Sequence, residues 1–339
     1  MLRIATLLIS LFLALNAAAQ EDKTQQTYHG YLDEKHKSFS KYVVKLFDNV
    51  DKSISLWVKE SDNNKTDYET NEDEVIYAID EFFKNEKFIE ETEKSFLRIR
   101  LGSEFQSKES IEFNQKISAQ IPLSRTKKNI QLFIGNSEKN YLSNVPSGAN
   151  SASSVGVGVN LFTPFYKGIK SKYSIGIKSF STYAKARYSK DFKTKDWLLQ
   201  PTQQFIYSTK DDFSEETNIY LNKTLNENSI FRTTLHRKTQ SNVDGFDYAV
   251  AFSYYLALSQ KKGFSFTQQF WGNSEYRCEA APQKYDGISS YSSFASWRQN
   301  IFRKWIALEI KSGVDFHRQY EYEPNYIFRF DIDFYFGNI

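Results

Sequence analysis

Residues 328–339 read FRFDIDFYFGNI, and an aromatic or branched apolar side chain falls at every second position: Phe328, Phe330, Ile332, Phe334 and Phe336. Arg329, Asp331, Asp333 and Tyr335 stand between them. Successive side chains of a strand point to opposite faces, so this stretch has one apolar face and one charged face. Such a strand needs a greasy environment on one side and water or paired charge on the other.

The same period of two runs back to Ser95. "SFLRIRLGSEF" sets Leu97, Ile99 and Leu101 against Arg98, Arg100 and Glu104, and "IEFNQKISAQI" sets Ile111, Phe113, Ile117 and Ile121 against Glu112, Asn114, Lys116 and Gln120. "GFDYAVAFSYYLALS" and "KWIALEIKSGVDFH" repeat the pattern. The runs are about 9 to 13 residues long, the length of a tilted strand that crosses a bilayer, where soluble strands favour about 5 or 6.

Composition agrees. The chain has 29 Phe and 22 Tyr against one Met and one Cys, and no stretch approaches the roughly 18 apolar residues of a membrane helix. Aromatic excess with a negative mean hydropathy of −0.57 fits strands that show lipid on one side and water on the other. The expected fold is an all-β membrane barrel of about 14 antiparallel transmembrane strands, within 12 to 16, preceded by an N-terminal helical periplasmic segment.

Candidate strands lie near 95–105, 110–122, 129–136, 152–162, 171–180, 183–190, 196–208, 214–224, 228–238, 245–258, 263–272, 289–299, 304–316 and 325–337. The even number returns both ends of the barrel to one side. It depends on a turn at Phe180–Thr182, where the outward set changes phase from Tyr173, Ile175 and Ile177 to Ala184, Ala186 and Tyr188. Counting back from residue 337 then puts the long connections, 137–151 and 273–288, on the cell exterior and the short links on the periplasmic side.

"MLRIATLLISLFLALNAAAQ" has a basic residue, an apolar run and small residues before Gln20, so residues 1–19 read as a signal peptide. Residues 20–93 read as helical. Leu32, His36, Phe39, Val43, Leu46 and Val50 draw one apolar stripe, and "EVIYAIDEFFKNEKFIEETEK" carries Val75, Ile79, Phe82 and Phe83 opposite an acidic side. Residues 94–339 form the barrel. The expected location is the outer membrane of a Gram-negative bacterium.

Three segments together, "IDEFFKNEKFIEETEKSFLRIRLG" (79–102), "QIPLSRTKKNIQLFIG" (120–135) and residues 297–337 from "WRQNIFRKWIALEI" to "DFYFG", resemble a group of proteobacterial outer-membrane barrel proteins. Members have an acidic FFxxE helix end, matched by Phe82, Phe83 and Glu86. They also have a first strand alternating Arg with apolar residues, and a W(I/L)xxEIxxG hairpin, matched from Trp305 to Gly313. The resemblance implies a barrel and carries over no catalytic residue. Phe334-Tyr335-Phe336 is similar to the C-terminal signal read by the barrel assembly machinery, although Asp331 stands where that signal often has Gly, and "FGNI" runs slightly past the usual stop.

Alternation points Arg98, Arg100, Lys116, Lys185, Arg187, Arg232, His236, Lys238, Arg298, Lys311 and Arg329 into the lumen, with Glu104, Glu112, Asp247, Glu309, Asp315, Asp331 and Asp333. A wall of both signs lines a wet channel for small ions or solutes, or else pairs across the bore and closes it. The alternative is a structural or docking barrel whose helical segment, residues 28–93, binds a periplasmic partner or plugs the barrel from below. A hydrolase is the third class. His36-Lys37-Ser38, which has the spacing of a Ser activated by a His, lies in the helical segment, while Asp315 and His317 share a strand face near the exterior rim, as the His and Asp of omptin-type protease barrels do, although such a pair in a polar wall is more often part of a charge network.

Other chemistries have no foothold. Four His and one Cys give no metal-ligand spacing, and there is no phosphate loop or serine elbow, so no metal and no cofactor is expected. Cys278 has no disulfide partner within the chain. Asp62-x-Asn64-x-Thr66 matches an extended glycosylation sequon that a polar linker can contain by chance. A net charge of +3, falling to +2 when Arg3 leaves with the signal peptide, argues against a nucleic-acid partner. The expected partners are outer-membrane lipid and the assembly machinery.

Overall fold

Alternating strands with apolar side chains on one face can hide that face only by stacking or by meeting lipid, and unpaired edges in lipid are costly enough to force closure. The computed structural model shows closure. It describes residues 26–55, 74–83, 95–123, 129–135, 156–178, 180–241, 243–275 and 287–337.

The strands are β1 (Phe96–Gln106), β2 (Glu112–Pro122), β3 (Asn129–Gly135), β4 (Gly156–Tyr166), β5 (Ile169–Lys178), β6 (Ser181–Lys190), β7 (Phe192–Thr194), β8 (Trp197–Ser208), β9 (Asp212–Asn226), β10 (Ser229–Gln240), β11 (Val243–Ser259), β12 (Lys262–Asn273), β13 (Gly287–Asn300), β14 (Ile306–His317) and β15 (Pro324–Gly337). Each is antiparallel to its neighbours, β1 pairs with β15, and β6 pairs with β8. β7 is a three-residue ribbon beside β8, so fourteen strands make the wall.

The wall is apolar outside and polar inside. Phe113 is 80% exposed and Ile175 70%, while Asn222 and Asp333 are 0% exposed on the opposite face. That inversion of a soluble protein identifies a transmembrane barrel, and it explains how a chain of negative mean hydropathy sits in lipid. The protein is an outer-membrane β-barrel.

The phase change near Phe180 is a real turn. β5 stops at Lys178, Phe180 takes a left-handed φ of 64°, and β6 begins at Ser181. Several strands outrun their expected spans; β4 reaches Tyr166, β9 runs 212–226 and β11 runs 243–259, because polar residues at the rims still pair. β7 is absent from the sequence-based set, since three residues carry no readable period.

Among the described residues two helices precede the wall, α1 (Gln26–Ser55) and α2 (Glu74–Phe83). The single stripe expected along the first helix divides in the structure. Val43 and Phe47 pack on the outer surface of β2 and its end, at Ala119, Ile121 and Leu123, whereas Leu32, Phe39 and Leu46 remain exposed. The His36 ring stacks on Trp305 at 4.0 Å, and its Nε2 donates to the Tyr335 carbonyl at 2.8 Å. Arg303, in the β13–β14 turn, pairs with Asp33. The signal peptide, the sequon and Cys278 lie outside the described residues.

Candidate functional site

α2 enters the bore. Ile76, Ile79 and Phe83 bury against Leu198 and Ile230, with Val75, Phe82, Tyr255 and Ala257 packed around them. Leu198, Ile230 and Tyr255 alternate with outward residues such as Leu199 and Phe231, so the helix occupies the inside of the wall. Each fully buried side chain of this size contributes about 1.5–3 kcal/mol. Gly263 makes room: a Cβ there would lie 2.6 Å from Phe82 Cε1 and 3.0 Å from Phe83 Cζ. The contacts fall near the ends of β8, β10, β11, β12 and β13 on the rim where β1 begins and β15 ends.

Asp80, on the side of α2 that the sequence marks as acidic and solvated, is only 3% exposed. Its Oδ2 accepts from Arg232 Nη2 at 2.8 Å. Arg232 Nε donates to Asn222 Oδ1 at 2.5 Å, and the guanidinium lies between the Tyr220 and Tyr255 rings at 5.8 and 5.6 Å. A buried charge is tolerable only when it is paired and hydrogen-bonded, and both halves of this pair are.

A second network closes the seam. The β1–β15 register sets Arg100 opposite Asp333 and Gly102 opposite Asp331. Asp333 accepts two bonds from Arg98, at 2.9 and 3.0 Å, and two from Arg100, at 2.7 and 2.9 Å. Arg298 Nη1 reaches it at 3.0 Å and the Tyr335 hydroxyl at 3.2 Å. Glu309 takes Arg100 at 3.2 Å and Arg298 at 3.1 Å, while Asp331 takes Arg329 at 2.8 Å. Arg329 continues to Glu104 at 3.6 Å. Four arginines therefore face four carboxylates on four strands, β13, β14, β15 and β1, across the seam. Gly102 is required beside Asp331, whose Oδ1 would collide with any Cβ there.

Arg298 joins the two networks. Its Nε donates to the carbonyl of Phe82, in the last turn of α2, at 3.1 Å. The final carbonyls of a helix have no partner within it and carry the negative end of its dipole, so a guanidinium caps them well.

The rest of the interior is largely amide and hydroxyl. Gln120, Gln131, Asn160 and Ser174 form a hydrogen-bonded ladder over β2–β5, at 2.7 to 3.3 Å. His236 Nδ1 lies 2.8 Å from Asn218 Oδ1, and Lys185 and Arg187 are buried on β6. Lys116 points into the bore beside Arg100, Lys238 pairs in register with Asp247 and Glu216, and Lys311 sits over the Phe294 ring at 4.5 Å. Glu112 is exposed near the far rim. At that rim Asp315 accepts from Ser290, and the His317 ring stacks on Trp271 at 6.2 Å while its Nδ1 accepts from the Gln319 amide at 3.1 Å. Burial and a hydrogen bond with Glu109 raise the Tyr320 pKa, holding the phenol protonated. Among the described residues Asp315 and His317 share no hydrogen bond, and no set of three His, Cys, Asp or Glu side chains is grouped as a metal site would be.

Phe334 and Phe336 face outward, where Trp305 lies 6.5 and 6.3 Å from them, and His36 and Phe39 of α1 cover Phe336. Tyr335 points inward to Arg298, at 2.8 Å. Sequence reasoning found the seam arginines and carboxylates but missed Ile76, Phe47 and the burial of Asp80.

No protein-family model and no curated protein matches the chain. Solved structures of similar fold include OmpT of Vibrio cholerae, at 8% identity and a TM-score of 0.45 over 72% of this chain and 97% of that one. The KdgM porin in complex with disordered oligogalacturonate aligns at 7% identity and 0.36 over 70% and 98%, and the NanC porin at 8% and 0.37 over the same shares. These likenesses concern the barrel alone.

Proposed function

We propose that the protein is an outer-membrane channel for small hydrophilic solutes whose periplasmic mouth is stoppered by α2. The observation that carries this reading is the helix lodged in the bore, held by the Asp80–Arg232 pair and by the Arg298 contact to Phe82. A structural barrel has no need of a removable segment seated on a dedicated glycine. The uncharged polar lining at Gln200, Thr202, Gln204, Asn218 and Gln269 suits a hydrophilic solute once the helix leaves. The seam charges are paired with one another, so they serve closure and leave selectivity to the opposite wall. The rim of β1 and β15 is read as periplasmic, and Phe334-Tyr335-Phe336 as the assembly signal, in keeping with the resemblance to the proteobacterial barrel group.

The buried ion pairs favour a second reading, a permanently closed barrel in which α2 is scaffold. Planar-bilayer recording separates the two. The full chain should show rare, small conductance steps, and a chain lacking residues 74–83 should show frequent larger ones. Absence of steps from both, with barrel folding verified by heat-modifiable mobility, would overturn the channel reading.

A further inference from the structure

α1 divides into three arcs. At 3.6 residues per turn, His36, Ser40, Val43 and Phe47 share the arc that meets the barrel. Leu32, Phe39 and Leu46 fall seven residues apart on a second arc, flanked by Tyr31 and Tyr42. These side chains stay largely open: Leu32 is 59% exposed and Tyr42 62%, while Leu46 and Phe39, whose ring edge meets Phe336, are each 44% exposed. Lys37, Lys41 and Lys45, four apart and exposed, occupy the third. Lys35 sits inside the apolar arc with its ammonium over the Tyr31 ring at 5.3 Å, the posture of a lysine lying along apolar surface with its charge at the edge.

The charge is lopsided. Over residues 31–46 Asp33 is bound to Arg303, which leaves Glu34 against exposed Lys35, Lys37, Lys41 and Lys45. An uncovered apolar arc beside a lysine arc is the pattern of a helix lying in a membrane interface.

The occupant follows from where the helix sits. It lies on the outer wall, on outward residues Leu97, Ala119, Ile121 and Leu132, and the same outward rows continue along the strands as the lipid-facing Leu101, Ile117 and Ile134. The uncovered arc of α1 is thus continuous with a surface that already meets lipid. Basic residues at such a boundary are drawn to anionic headgroups.

We infer that α1 docks into the periplasmic leaflet, with Leu32, Phe39 and Leu46 among the acyl chains and Lys37, Lys41 and Lys45 against anionic phospholipid headgroups. The site is independent of whether the bore conducts. It makes α1 a collar of the barrel wall, while α2 is its stopper.

The test uses the full chain in a Cys278→Ser background, with an environment-sensitive fluorophore on Phe39→Cys, Leu46→Cys or Lys41→Cys, refolded into vesicles of phosphatidylcholine alone or with one quarter phosphatidylglycerol. Labels at 39 and 46 should be blue-shifted and quenched by acyl-chain nitroxides, and the label at 41 should be quenched by aqueous iodide. Adding phosphatidylglycerol should deepen the quenching at 39 and 46, and 0.5 M salt should reverse the gain. Equal access of iodide to all three positions would overturn the docking. Quenching that ignores phosphatidylglycerol would overturn the headgroup assignment.

Discussion

Asp80 and Arg232 are 152 residues apart in the chain and 2.8 Å apart in the bore, with both side chains almost fully buried. Removing one member of such a pair leaves the other charge buried without compensation, which costs about 3–5 kcal/mol. Asp80→Asn should therefore loosen α2 without opening the wall. Amide hydrogen exchange within residues 74–83 should rise, conductance should increase, and heat-modifiable mobility should stay normal. Unchanged exchange would show that the helix is held by its apolar face alone.

Gly263→Val tests the same seat by crowding. A side chain there meets Phe82 and Phe83, and overpacking of a filled site typically costs about 1–3 kcal/mol. Larger or more frequent conductance steps are expected, with the barrel intact. As a contrast, Gly313→Val pushes into Phe294 and the Ser293 backbone within the wall and should reduce the yield of folded barrel.

Asp333→Asn removes the carboxylate shared by Arg98, Arg100 and Arg298. Loss of about 3–5 kcal/mol at the seam is expected, read as a lower unfolding midpoint in denaturant. Asp331→Asn should cost less, since Arg100 and Arg329 each keep another acidic partner. Replacing both by lysine should block assembly, where the same change on a rim loop should not.

His36→Ala should detach α1 and spare the barrel. It removes a ring stack on Trp305 and a hydrogen bond to the Tyr335 carbonyl, together about 1–3 kcal/mol. Trypsin should then cut after Lys41 and Lys45 faster than in the unmodified chain, while residues 95–337 remain protected.

The wall was legible because its signal is local and repeated. Phe328 to Phe336 show the period within nine residues, and the alternating charges of Arg98, Arg100, Asp331 and Asp333 mark the two strands whose charged faces meet, with Arg100 directly opposite Asp333. The turn at Phe180 was legible too, since a phase change of the outward set needs only neighbouring residues. The helices were legible as helices, but not their seats. An amphipathic helix reads the same whether it packs in a bore, on a wall or on another protein, and Asp80 looks like a solvated acid until its partner arrives from β10. Along α1, the one stripe read from Leu32 to Val50 holds His36 and Val43, which the barrel takes together with Phe47, and also Leu32 and Leu46, which stay exposed, because apolar spacing alone does not say which part of a stripe meets the wall.

Arg98 and Arg100 stand at the head of the wall, and the carboxylates that neutralise them are made about 230 residues later, on β15. Until that strand docks, β1 lacks Asp331 and Asp333, and Glu309, the other acid that binds Arg100 here, lies beyond β15 on β14. An unfinished sheet thus carries concentrated positive charge at its free margin, a barrier to entering hydrocarbon or pairing with a stranger. The arrival of Asp331 and Asp333 neutralises it, so closing the wall and cancelling the charge of its first strand are one event.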